Sequence, residues 1–317
     1  MIVPRLVESQ MKPGICGLVN LGNTCYMNSA LQCLNSISSL VNFFRNINVK
    51  FNMNNLISSY AKLVQTMWLG QNSHTAAHEL KREISKYAPQ FYGYNQCDSF
   101  DFLITLLDNL KDEMEKSTLT TSTSSIIEQL FNIEMISQVT CHACGVTGSG
   151  TESMMFLSLP LPANCDVPIT LSSLLDLFEK EEKLDGQIYC DSCRQISTGN
   201  QKTTLGALPP FIIVQFKRFP FNGTRNKVKT IIDYPLTDFH FYQHTQTASE
   251  HAYDLVAVSM HSGSLASGHY TANVYHYPTK KWYHINDTHY ECIENLQEIR
   301  SSPNAYILIY AKKTHIK

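Results

Sequence analysis

Apolar positions are spaced in two different ways along this chain. In the first third they recur three and four residues apart. From Met27 the stripe runs through Ala30, Leu31, Leu34 and Ile37, and after Asp98 it runs through Phe102, Leu103, Leu106, Leu107 and Leu110. This spacing predicts helices over 24–37, 54–68, 76–87 and 98–115. A Ser/Thr-rich break follows at 117–125. Beyond it the apolar residues gather in short β-branched and aromatic runs, which predict strands over 138–141, 152–159, 211–216, 253–260, 270–277, 282–285 and 305–311. One further helix-like stretch covers 171–183. Residues 1–13, with Pro4 and Pro13, read as an extension, and no internal repeat is present. The fold class is α+β, with a helical lobe facing an antiparallel sheet.

One helix start carries chemistry. In Gly17-Leu18-Val19-Asn20-Leu21-Gly22-Asn23-Thr24-Cys25-Tyr26-Met27, Gly22 permits a tight turn and Asn23 and Thr24 suit an N-cap. Cys25 then falls in the first helical turn, where free amides and the positive end of the dipole favour a thiolate. A buried structural cysteine is the competing reading of any lone thiol before a helix. A histidine in a matching context weighs against it. His269 follows the Gly/Ser/Ala-rich loop Gly263 to Gly268 and opens a predicted strand. A second strand ends in Asn286-Asp287. A hairpin around Pro278-Thr279-Lys280 would bring Asn286 or Asp287 beside His269. A general base needs such a partner to fix its tautomer. Asn286 is the favoured partner, and the choice stays open at this level.

Four other cysteines form two knuckles, Cys141-His142-Ala143-Cys144 and Cys190-Asp191-Ser192-Cys193. Two CxxC turns complete a closed tetrahedral zinc site with no open position for water, so the expected role is structural. The chain between them exceeds a compact ribbon spacing and must form structure of its own. His142 reads as a bystander. His74 and His78 stand one helical turn apart without the glutamate of a metalloprotease site, and metal binding there is not expected.

Composition narrows the classes without choosing among them. The 317 residues carry a net charge of -2 and 43% hydrophobic residues. There is no sustained basic stripe, so nucleic acid is not an expected partner. Lys217-Arg218 and the basic residues of 225–229 read as solvated loops. No apolar run reaches membrane-spanning length and no secretory h-region opens the chain, so neither membrane insertion nor export is expected. Ten cysteines in such a chain point to a reducing compartment, cytoplasmic or nuclear.

The segment around Cys25, Gly268-His269-Tyr270, Trp282 to Asp287, Gly93 to Leu103, Phe216 to Phe219 and Ala305 to Tyr310 together resemble the ubiquitin-specific proteases. These are papain-like cysteine deubiquitinating enzymes, and the likeness spans nearly the whole chain. The resemblance implies one catalytic domain over 14–313, with a helical thumb (14–125), zinc-bearing β fingers (126–205) and an antiparallel β palm (206–313). It implies Cys25 as nucleophile, His269 as base, Asn286 and Asp287 as the third element, and Asn20 as oxyanion donor. Asp98, Gln96 and Tyr270 would bind substrate. Cys141, Cys144, Cys190 and Cys193 would hold one structural zinc, with no catalytic cofactor. The implied partners are ubiquitin and ubiquitinated proteins. The implied reaction is isopeptide hydrolysis through a Cys25 thioester. A catalytically silent ubiquitin receptor and an enzyme for a ubiquitin-like modifier are the rival readings. The chain departs from the family pattern at Cys97 (usually Gln), Asp101 (usually Glu) and Tyr290 (usually small and apolar).

Overall fold

The computed structural model describes residues 12–47, 55–70, 74–116, 124–162, 167–219, 227–241, 252–264 and 267–315. Residues 1–11 of the expected extension, most of the 117–125 break, Arg225, His244 and His251 lie outside these.

Among the described residues six helices precede the first strand: α1 (Cys25–Asn35), α2 (Ser38–Asn46), α3 (Leu56–Trp68), α4 (His74–Ile84), α5 (Ser99–Lys116) and α6 (Ile126–Phe131). The stripe predicted to run on to Ile37 stops at Asn35, because Ser36 turns its hydroxyl onto the Cys33 carbonyl and Ile37 is extended. The apolar residues after it belong to α2, a separate amphipathic helix that burial of Leu40, Val41 and Phe44 fixes in place. Helix α1 is buried from Cys25 to Leu34 and packs against α5 and the sheet. Its Tyr26 stacks on Phe91 at 5.7 Å, and Phe91 meets Phe102 of α5 edge-on at 5.5 Å. Each such fully buried side chain contributes about 1.5–3 kcal/mol by area alone.

The strands begin with β1 (Ile133–Cys141), β2 (Thr147–Met154), β3 (Phe156–Pro160) and β4 (Ile169–Thr170), after which comes helix α7 (Leu171–Phe178). Next are β5 (Glu182–Lys183), β6 (Ile188–Cys190), β7 (Gln195–Ser197), β8 (Gly199–Leu205), β9 (Phe211–Lys217) and β10 (Ile232–Asp233). The chain closes with β11 (Tyr253–Gly263), β12 (Gly268–His276), β13 (Lys281–Asn286), β14 (His289–Ile293), helix α8 (Gln297–Arg300), β15 (Ser301–Ser302) and β16 (Ala305–Lys312). A seven-stranded sheet runs β14-β13-β12-β11-β16-β9-β3, and a four-stranded sheet runs β2-β1-β8-β5. The single strand predicted over 152–159 is two strands: at Met155 the chain leaves the four-stranded sheet and enters the seven-stranded one. The larger sheet is mixed and not wholly antiparallel, since β3 lies parallel to β9. The helix predicted over 171–183 ends at Phe178. Helices α1 and α5 cover one face of the large sheet, while α7 and the aromatic group Phe239, Phe241, Tyr253 and Tyr310 belong to a second core.

Arg218 corrects an expectation. The guanidinium is fully buried at the end of β9 and donates to the carbonyls of Ala305 (2.5 Å), Val228 (2.9 Å), Thr230 (3.0 Å) and Ser302 (3.3 Å). Burial lowers its pKa to about 10. Its planar fork of donors suits several carbonyls at once, which an ammonium could not match. Lys217 and Lys229 are exposed, as read from the sequence. No helix among the described residues is long and apolar enough to cross a membrane.

Candidate active site and metal centre

Cys25 is the first residue of α1. The turn before it is set by Gly22 in a left-handed conformation (φ 100°), where a Cβ would also strike the Tyr94 ring at 2.6 Å. Thr24 occupies the N-cap position but caps nothing: its hydroxyl accepts from the Leu21 amide at 2.8 Å. The Asn20 carbonyl oxygen instead gathers the amides of Gly22 and Thr24, both at 3.0 Å. The first amides of α1 are thereby left to the sulfur, and those of Cys25 and Tyr26 both lower the thiol pKa. Burial nevertheless outweighs every such contribution and raises it, with Asp287 adding to the rise. The resting group is therefore a thiol, against the helix-dipole expectation, because a nearly buried sulfur loses more hydration than the amides return.

The opposite wall is the hairpin β12–β13, in register with His276 opposite Lys281. His269 lies next to the β12 start, and α1 is seated on β12 by the Ser29 hydroxyl, which donates to the Thr271 carbonyl at 2.8 Å; across this contact the Tyr270 amide lowers the Cys25 pKa. The helix that begins at Cys25 and the strand that carries His269 thus pack together, with the two residues 244 positions apart in the chain (269 − 25). His269 Nε2 lies 2.7 Å from Asn286 Oδ1. An amide oxygen only accepts, so Nε2 carries the proton and Nδ1 is left as the basic atom.

Asp287 has a different set of partners. It adopts a left-handed backbone (φ 48°), its carbonyl accepts from the Leu18 amide at 2.8 Å, and its carboxylate accepts from Asn28 at 2.8 Å and Asn20 at 3.0 Å. The carboxylate therefore orients Asn20, while Asn286 alone of the pair hydrogen-bonds the imidazole. Gly17 makes the approach possible: a Cβ there would lie 2.3 Å from the Thr288 backbone. Asn28 was not singled out from sequence. Its signal was available as a polar residue on the buried stripe of α1.

Asp98 is first a helix cap, with Oδ1 accepting from the amides of Phe100 (2.7 Å) and Asp101 (3.2 Å). Its other oxygen accepts from the Tyr306 hydroxyl at 2.6 Å, and the nearby Tyr270 also favours the ionised carboxylate. Burial raises its pKa against these donors. Gln96 is exposed and its side-chain oxygen accepts from the Gly268 amide at 2.9 Å, next to His269. The predicted substrate-binding trio Asp98, Gln96 and Tyr270 thus borders the same hairpin. Cys97 stays half-buried, its thiol donating to the Gln90 carbonyl at 3.4 Å. Tyr290 is exposed on β14, so no core packing depends on it.

The second constellation is the sulfur cluster. Cys141 and Cys190 end β1 and β6, while Cys144 and Cys193 follow in turns that close through left-handed Gly145 (φ 70°) and Arg194 (φ 55°). All four sulfurs lie within 4.8 Å of one another, and Cys144 and Cys190 are 3.7 Å apart. Tetrahedral zinc with Zn–S bonds of about 2.3 Å sets sulfurs roughly 3.8 Å apart, so the donor set and spacing fit that ion. His142 is engaged elsewhere, with Thr198 at 2.9 Å and Asn200 at 3.0 Å.

A family profile described as Ubiquitin carboxyl-terminal hydrolase matches residues 16–310. The chain is 33% identical to human Ubiquitin carboxyl-terminal hydrolase 2 over 96% of its own length and 56% of the relative's. It is 32% identical to the chicken protein of the same name, covering 98% of this chain and 96% of that one. Against the Drosophila melanogaster Ubiquitin carboxyl-terminal hydrolase Usp2 the identity is 31%, over 96% of this chain and 36% of that protein. The chain thus spans about half the length of several curated relatives. Among solved structures, the SAGA DUB module containing a Ubp8 variant and bound to monoubiquitin superposes with a TM-score of 0.82 at 23% identity, over 97% of this chain and 72% of that one. A second, the Ubp8 module bound to ubiquitin aldehyde, gives 0.80 at 22% identity, over 98% of this chain and 72% of that one. Both support the α+β fold.

Proposed function

The chain belongs to the ubiquitin carboxyl-terminal hydrolase family, and on that premise we propose that it is a cysteine-type deubiquitinase acting on ubiquitin-conjugated proteins. The observation that carries the reading is the seating of the Cys25 helix on the β12 strand, by Ser29 on the Thr271 carbonyl at 2.8 Å, beside a His269 held at 2.7 Å by Asn286. Because the resting sulfur is a thiol, attack needs a base. His269 Nδ1 takes the Cys25 proton as the sulfur bonds to the carbonyl carbon of ubiquitin's last glycine. The same nitrogen then returns that proton to the departing lysine amine, leaving a thioester. His269 next draws a proton from water, which attacks the thioester and frees the ubiquitin carboxylate and the Cys25 thiol. The open amides of α1 face the developing oxyanion, and Asn20 acts with them through its second amide hydrogen while Asp287 holds the first. Asn286 is the orienter of His269, and Asp287 positions Asn20.

The division into thumb (14–125), fingers (126–205) and palm (206–313) is supported by the separate helical lobe and the two larger sheets. Cys141, Cys144, Cys190 and Cys193 would hold one zinc, which supplies a cross-link and no open coordination position. Ubiquitin as partner is supported by the ubiquitin-bound structures of similar fold. The test is hydrolysis of a fluorogenic ubiquitin C-terminal amide. The wild-type chain should cleave it, and Cys25→Ala should be inactive while still binding ubiquitin. Full activity in that variant would remove the assignment.

A further inference from the structure

The segment Tyr92 to Gln96 touches both halves of the active site yet has little apolar anchoring. Tyr92 and Tyr94 are 78% and 73% exposed, and Asn95 and Gln96 are exposed as well. It nevertheless reaches the nucleophile's turn, where the Asn23 amide donates to the Tyr94 carbonyl at 2.8 Å and the Tyr94 ring lies over Gly22. It also reaches the histidine's loop, where Gln96 accepts from Gly268. Burial cannot fix so exposed a segment, so polar contacts must.

The contact on its inner side is Lys81 of α4. Its side chain is buried, which is rare for lysine without a charged partner. The ammonium donates to the carbonyls of Tyr92 (2.9 Å) and Gly93 (2.8 Å) and lies 5.6 Å from the Tyr94 ring centre. No described carboxylate forms an ion pair with it; its charge is directed at the backbone of this one segment. A charge-assisted hydrogen bond to a carbonyl is about twice as strong as a neutral one.

We infer that Lys81 is a positioning residue for the reaction: it clamps the Tyr92–Gln96 segment so that Gln96 holds the Gly268–His269 backbone and Tyr94 holds the Cys25 turn. The inference rests on the Cys25–His269 reading above. It places the catalytic alignment under the control of a helix that touches no reacting atom. Losing the clamp releases two carbonyls and the Gln96–Gly268 bond together.

The test is a double-mutant cycle of Lys81→Met and Gln96→Ala in the full chain, read as kcat/KM on a fluorogenic ubiquitin amide. Each single variant should lose about 10-fold, and the second change added to the first less than about 2-fold, because both break one link. Alkylation of Cys25 by a small reagent should slow in Lys81→Met along with kcat/KM while the denaturant midpoint stays near wild type, and Lys81→Arg should recover most of both losses. Effects that multiply, or a Lys81→Met enzyme within twofold of wild type, would overturn the inference, as would a loss that merely tracks the folded fraction. If Lys81→Met does not fold, Lys81→Gln carries the same cycle, since its amide can still meet one carbonyl. A wild-type chain inactive on the amide would instead sink the underlying functional reading, so the two failures are distinct.

Discussion

Cysteine has opposite surroundings in two parts of this molecule. Cys25 is one thiol against a helix start, nearly buried, with backbone amides and an imidazole-bearing strand around it. The four sulfurs of the knuckles have one another within 4.8 Å, on turns closed by local hydrogen bonds. On the proposed reading the first arrangement isolates a nucleophile whose pKa burial holds up until a base acts. The second gathers four sulfurs at a spacing that could hold a cation. Residue type decides neither role: neighbours within a few ångströms do.

That contrast can be broken most sharply at the base. Asn286→Ala should lower kcat about 10²-fold with little change in ubiquitin affinity, since it frees the imidazole to rotate. Asp287→Ala should act through Asn20, lowering kcat while leaving the pH profile of the histidine step in place. If Asp287→Ala shifted that profile and Asn286→Ala did not, the two roles would be exchanged. Next comes the scaffold. Arg218→Met strands four buried carbonyls and should cost about 3 kcal/mol of stability, read from the denaturant midpoint.

A smaller effect is expected at the knuckles. Metal analysis should find one zinc per chain, and Cys190→Ser should raise KM for ubiquitin about 10-fold while kcat moves far less. A fall in kcat alone would make the cluster part of the chemistry. The mildest test is titration of the resting thiol. Burial raises the Cys25 pKa, so the protonated form persists through neutral pH and deprotonation comes above the ordinary thiol range. Alkylation of Cys25 by a small reagent should therefore be slow near neutrality and accelerate several-fold as pH rises past that range. Fast alkylation at mildly acidic pH would mean a preformed thiolate.

The two regions also differ in how far sequence reveals them. Both knuckles are local, so Cys141, Cys144, Cys190 and Cys193 could be grouped from spacing alone. The long helices were legible for the same reason, as the stripe from Phe102 to Leu110 returns each turn. Convergence of Cys25 with His269 is a property of topology, and only the resemblance to a family supplied it in advance. Division of labour between Asn286 and Asp287 depended on the left-handed turn at Asp287, which no adjacent glycine marks. Arg218 was misread because a charged residue beside Lys217 looks solvated until the carbonyls of distant segments close over it. Lys81 went unnoticed for a related reason: its partners are backbone atoms, which leave no imprint on residue type.

The most direct measurement of the central claim is capture by ubiquitin carrying a C-terminal electrophile, followed by peptide mapping of the adduct. One ubiquitin should attach per chain, on Cys25, and Asn286→Ala should slow the capture without moving it. No adduct, or an adduct on Cys16 or Cys97 with Cys25 unmodified, would contradict the account.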